Sequence, residues 1–126
     1  MATLVDPDFR ARLNALSDKY AATVPGLLQD IAGALALCQA SGRGWAQLSA
    51  LETALHAVAG SGGTFGFGVL GQECRRLEHL LRPLVEGALR GSAPGDEGQW
   101  LALVAHIAQL LQWAARDPKA GAFLPV

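Results

Sequence analysis

Cysteine is scarce in this chain: Cys38 and Cys74 are the only two in 126 residues. They fall in separate apolar helical patterns without neighbouring ligands, so neither a disulfide framework nor a metal cage follows from them. No set of His, Cys, Asp or Glu has metal-ligand spacing. Neither sign of charge dominates, since 10 Lys and Arg against 11 Asp and Glu leave a formal net charge of −1. That balance gives no electrostatic case for nucleic acid or an anionic membrane as partner. No run approaches the roughly 18 uninterrupted apolar residues of a membrane span. The N-terminus also lacks the basic-then-apolar layout of a signal peptide. A cytoplasmic protein with reduced thiols is expected. Strand-like alternation and internal repeats are missing as well. The glycine-rich AGSGGTFGFG over 59–68 lacks the Lys-Ser/Thr ending of a phosphate-binding loop and follows a helix instead of a strand. With no nucleotide site in view, the chain is not a kinase by itself.

What is present suits one compact domain with a real core: 51% of the residues are hydrophobic and 17% charged. Asp6-Pro7-Asp8 supplies an N-cap, a proline at the first helical position and an acidic first turn, for a helix running to about Thr23. Pro25 is expected to break or kink the chain. Leu27, Leu28, Ile31, Leu35 and Cys38 recur at helical steps and stop at Ser41-Gly42-Arg43-Gly44. The next helix begins near Trp45, or a turn later if Ser49 and Glu52 form a capping box, and ends at Gly66-Phe67-Gly68. Leu70, Cys74, Leu77, Leu81 and Leu84 mark a further helix, kinked at Pro83. Gly91 to Gly98 reads as loop with Asp96 as cap, and Leu101, Val104, Ala108 and Leu111 as the inner stripe of the last helix. The expected fold is all-α: an antiparallel four-helix bundle over 25–116, an additional N-terminal helix over 1–24 packed across one end, and an irregular tail over 117–126. In that tail Phe123 and Leu124 are expected to fold back on the bundle. Trp45, Trp100 and Trp113 read as core or end-cap residues, and Phe65 as core. Phe67 stays open between core and partner contact.

One histidine stands apart. At about 100° per residue, His56 shares its helix face with Glu52, Thr53, Ala59, Gly60 and Gly63, of which only Glu52 is bulky. Glycine costs about 1 kcal/mol relative to alanine inside a helix, so Gly60, Gly62 and Gly63 weaken the segment that carries this ring. A bare face round an imidazole suits close approach by another macromolecule. If two antiparallel helices turn about Phe67, residues equidistant from it lie side by side. His56 then faces Glu78, Ala59 faces Arg75, and Glu52 faces Arg82. Glu78 would fix the tautomer and ring angle of His56, leaving Nε2 unprotonated and pointing to solvent. His79 and His106 read as structural.

His56, Gly60, Ser61, Gly66, Leu70, Leu77 and Glu78 together resemble the histidine phosphotransfer (HPt) family, with its helical histidine, small-residue run, glycine turn and second helix ending in Leu-Glu. The resemblance implies a phosphoryl carrier of a multistep two-component relay, without an ATP site or bound cofactor of its own. His56 would accept a phosphoryl group from the aspartate of one receiver domain and pass it to another, with Mg²⁺ held by the receiver. The implied partners are receiver domains of a hybrid histidine kinase and of a response regulator, met by a monomer. Ala59, Gly60 and Gly63 would let the receiver's loops reach the imidazole. The family usually has Lys or Arg three residues after the histidine, where this chain has Ala59. Arg75 is a candidate replacement, against the plainer reading of Arg75 and Arg82 as solvated helix charges. The alternative function is a non-phosphorylated helical module that anchors or inhibits a two-component signalling partner. Direct charging by a kinase domain and a small helical enzyme are further alternatives.

Overall fold

Apolar residues at three- and four-residue steps place four helices, and the computed structural model, which describes residues 7–91 and 97–123, packs them into a bundle. The helices are α1 (Pro7–Ser41), α2 (Trp45–Ser61), α3 (Gly68–Leu89) and α4 (Glu97–Arg116), with a short 3₁₀ turn at Gly63–Phe65. No strand occurs among the described residues. Short connections make successive helices antiparallel neighbours. The tightest pair is α2 and α3; α1 packs on α2, and α4 closes the bundle against α3 and α1. Ile31, Leu51, Leu55, Leu70, Leu77, Leu81, Ile107 and Leu110 form a core without solvent contact.

The four-helix bundle matches expectation, but its first helix does not stop before Pro25. One helix of 35 residues runs through that proline. Val24 and Ile31 are both buried and lie on either side of it. The Tyr20 ring stacks on Phe65 at 5.0 Å and meets Phe67 edge-on at 5.5 Å, so the preceding turn is also held. Tertiary contacts on both sides offset the hydrogen bond that proline removes. The N-terminal segment is therefore an extension of α1 and not a separate helix packed across the bundle end. Phe9, Leu13 and Leu16 on it are exposed. By length and mean hydropathy α1 also passes the test for a candidate membrane span, with 22% of its apolar window buried, although it holds no uninterrupted apolar run of that length. A core helix of a bundle passes the same test, and Ile31, Leu35 and Cys38 are core here.

At the start of α2, extended Gly44 precedes Trp45, so the helix takes the earlier of the two expected starts and no Ser49 cap forms. Its end at Ser61 comes well before the Gly66-Phe67-Gly68 expected. The intervening residues make the 3₁₀ turn, and Gly66, at φ 92°, reverses the chain in the left-handed region. Phe67 is buried, which settles it as core; Phe65 is half-buried against Tyr20. Between buried Leu81 and Val85, α3 stays a single helix through exposed Pro83.

The inner stripe of α4 is Trp100, Leu103, Ile107, Leu110 and Ala114, one position off the expected stripe. Leu101 is 58% exposed, Ala108 is exposed, and Val104 and Leu111 are half-buried. The two stripes have the same period and differ by about 100° of rotation; the one containing Trp100 and Ile107 buries more apolar surface. Arg43, over the Trp100 ring at 5.2 Å and paired with Glu97 at 2.6 Å, fixes the start of α4 against the α1–α2 loop. Of the tryptophans, Trp100 is buried and Trp113 half-buried, whereas Trp45 is 46% exposed and belongs to neither core nor cap. The tail folds back as expected for Phe123, which meets Trp113 at 5.3 Å while the Trp113 indole N–H donates to the Ala122 carbonyl at 2.9 Å. Asp6 and Asp96, expected as helix caps, and Leu124, expected to pack on the bundle, lie outside the described residues.

Candidate functional site

The site is assembled by the α2–α3 hairpin. Gly62 and Gly71 touch backbone to backbone there: a Cβ on Gly62 would stand 3.1 Å from the Gly71 Cα and 3.0 Å from the Val58 and Phe67 carbonyl oxygens. The Phe67 amide donates to the Gly62 carbonyl at 2.8 Å, and the Gly71 amide to the Phe67 carbonyl at 2.9 Å. This locked turn sets the register of everything beyond it.

With that register, His56 Nδ1 lies 2.8 Å from Glu78 Oε2. The imidazole side chain is 72% exposed and the carboxylate side chain 10%. A carboxylate has no proton to donate, so the proton of this hydrogen bond resides on Nδ1 and the Nε2 lone pair is left for chemistry. Leu55 and Val58 beside His56 point into the core, which turns the ring outward. The other two expected pairs form as well. Arg82 Nε donates to Glu52 Oε2 at 3.3 Å, with Arg82 Nη2 also 3.6 Å from Glu78 Oε2. Arg75 Nη2 donates to the Ala59 carbonyl at 3.2 Å.

Of the small residues expected round His56, Thr53, Gly60 and Gly63 are exposed. Ala59 is not part of the open face: it is 6% exposed, in the α2–α3 seam where Arg75 crosses to its carbonyl. A hollow of about 250 Å³ at His56 is lined by Ala59, Gly60, Arg75, Glu78, His79 and Arg82. It shares Ala59, Gly60 and Arg75 with a groove of about 500 Å³ that continues past Gly63 and Thr64 to Gly68, Gly71 and Gln72. Sequence reasoning missed Thr64, Gly68, Gly71, Gln72 and the place of His79. The equidistance rule that paired His56 with Glu78 also sets Gly71 opposite Gly63 and Gln72 opposite Gly62, so the signal was present. The more apolar hollow of about 560 Å³, between Val24, Leu28, Phe67, Leu111 and Pro118, shares no residue with His56 or its neighbours.

His106 has a structural setting. Its Nε2 lies 2.8 Å from Arg76 Nη2 and 3.2 Å from Glu73 Oε1, tying α4 to α3. Burial pushes the Glu73 carboxyl up, but hydrogen bonds and charge from Arg76 and His106 outweigh it and hold the group below its ordinary value. Cys38 and Cys74 are free and buried. Burial, then the nearby Glu73 and Glu78, pushes the Cys74 thiol up to about 12; burial also raises Cys38, against the pull of Arg43. Among the described residues no group of three or more His, Cys, Asp or Glu could hold a metal ion.

A family model described as Hpt domain matches residues 15–113. Neither the curated proteins nor the solved structures contain a match to the chain.

Proposed function

The chain belongs to the Hpt domain family, the phosphocarrier modules of phosphorelays, and we propose that His56 is its phosphoryl acceptor, taking the group from an aspartyl phosphate of one receiver domain and delivering it to a second. The observation that carries this reading is the pairing of an exposed ring with a buried acid: Nδ1 is tied to Glu78 at 2.8 Å and Nε2 is left toward solvent.

In the transfer step the Nε2 lone pair attacks phosphorus in line. The N–P bond forms as the P–O bond to the aspartyl carboxylate breaks, and that bond's electron pair leaves with the carboxylate. No proton need move. Nδ1–H stays on the ring, whose developing positive charge lies against Glu78. The transition state is loose, with charge on the peripheral oxygens; in this proposal the receiver supplies Mg²⁺ and a lysine to meet most of it. The carrier contributes a nucleophile, its orientation and an open surface in which Gly60 and Gly63 admit the receiver's loops. Glu52, Thr53, Arg75 and Arg82 rim the same face. The reverse of the step loads the second receiver.

In this reading the chain acts in the cytoplasm as a monomer, with receiver domains of a hybrid kinase and of a response regulator as partners. The two free thiols suit a reducing compartment. Incubation with a phosphorylated receiver should give acid-labile, base-stable label on the wild-type chain and none on His56→Gln. Binding without label would favour an anchoring module instead.

A further inference from the structure

We infer that Arg75 is the cation that receives the phosphoryl oxygens on His56, an assignment that rests on the carrier reading above. A phosphoryl group brings a charge of about −1.5 to −2 at neutral pH. Two carboxylates already stand beside the ring, Glu78 and Glu52, and both are within ion-pair distance of Arg82. The charge of Arg82 is thus engaged. Among the described residues no carboxylate lies within 4.0 Å of Arg75, whose hydrogen bond runs to the Ala59 backbone carbonyl. That bond uses one N–H of a guanidinium that carries five, and the remaining donors stay available for an anion.

Position agrees with charge. Ala59 is one turn beyond His56, about 4.5 Å along the helix axis, and the guanidinium bonded to its carbonyl lines the same hollow as the imidazole. Arg75 lines both the hollow at the ring and the glycine-walled groove beside it. Gly60 and Gly63 on that wall have nothing within 4 Å of where a Cβ would stand. A tetrahedral oxyanion on Nε2 therefore has an open place beside the one arginine of the site not occupied by an acid. Arg75 would hold the phosphoryl oxygens by charge-assisted hydrogen bonds.

Phosphoramidate tests this without a protein partner: Nε2 displaces ammonia, the N–P bond of the donor breaking as the new one forms. Loading would be followed by ³¹P NMR on wild type, Arg75→Ala and Arg75→Lys, with circular dichroism to establish that each is folded. Arg75→Ala should load about tenfold more slowly, the effect of losing one charge-assisted bond at an exposed site, and Arg75→Lys should recover most of the rate. Loading of folded Arg75→Ala at the wild-type rate overturns the assignment, even if its transfer from a receiver is slowed, because Arg75 then acts on the partner's surface. Label on wild-type His56 in that case leaves the carrier reading standing. Failure of the wild type to load from phosphoramidate or from a phosphorylated receiver removes the carrier reading itself.

Discussion

Gly62 and Gly71 are in van der Waals contact through their backbones, and that contact fixes which residue of α3 lies opposite His56. An added Cβ at Gly62 would come within 3.0–3.1 Å of three backbone atoms, none of which can yield without opening the hairpin. Gly62→Ala should therefore destabilise the fold by about 1–3 kcal/mol, the usual cost of overpacking. Chemical denaturation of the variant measures it.

Gly60 is the opposite case, a helical glycine facing open space. Gly60→Ala should raise stability by up to about 1 kcal/mol. Gly60→Gln should keep the helix, seen by circular dichroism, and block transfer from a receiver by covering the imidazole. Wild-type transfer in Gly60→Gln would remove the steric role given to this face.

Glu78 orients the ring through one hydrogen bond. Glu78→Ala should slow single-turnover transfer by about 10- to 100-fold, the scale of a small misplacement of a reacting group. Glu78→Gln keeps an acceptor oxygen and should lose only a few-fold. Equal losses in the two variants would mean that the negative charge, and not the orientation, is what matters.

Two groups make stability depend on pH, in opposite ranges. Glu73 sits below its ordinary 4.5 in the folded state, so its contribution is fully present above that value and is lost as pH falls through the lowered one. Urea denaturation of wild type and Glu73→Gln should differ at neutral pH and converge in acid. Cys74, raised from 9.0 to about 12, favours its neutral thiol in the fold, and this contribution is lost progressively as pH rises from 9.0 to about 12. At neutral pH the native thiol should resist alkylation and react only on unfolding; rapid native-state labelling would contradict its burial.

Much of this was legible in the sequence because helical period and hairpin register are local arithmetic. The pairs His56–Glu78, Ala59–Arg75 and Glu52–Arg82 follow from the turn at Phe67 alone. The continuity of α1 through Pro25 does not, because what holds it is the contact of Tyr20 with Phe65 and Phe67, some 45 positions along the chain. The one-position error in α4 has a similar origin: Leu101 and Ile107 belong to stripes of equal period, and only the position of α3 and α1 selects between them. Ala59 lies on the His56 face by helix arithmetic but is covered, because Arg75, its partner across the hairpin, crosses to its carbonyl.

The central claim is that Nε2 of His56 carries the phosphoryl group while Nδ1–H stays on Glu78. Phosphorus–nitrogen correlation by NMR on the chain loaded from a phosphorylated receiver reads this directly. Coupling to Nε2 of His56, absent in His56→Gln, is the predicted result; coupling to Nδ1, or phosphorus on His79 or His106, would contradict it.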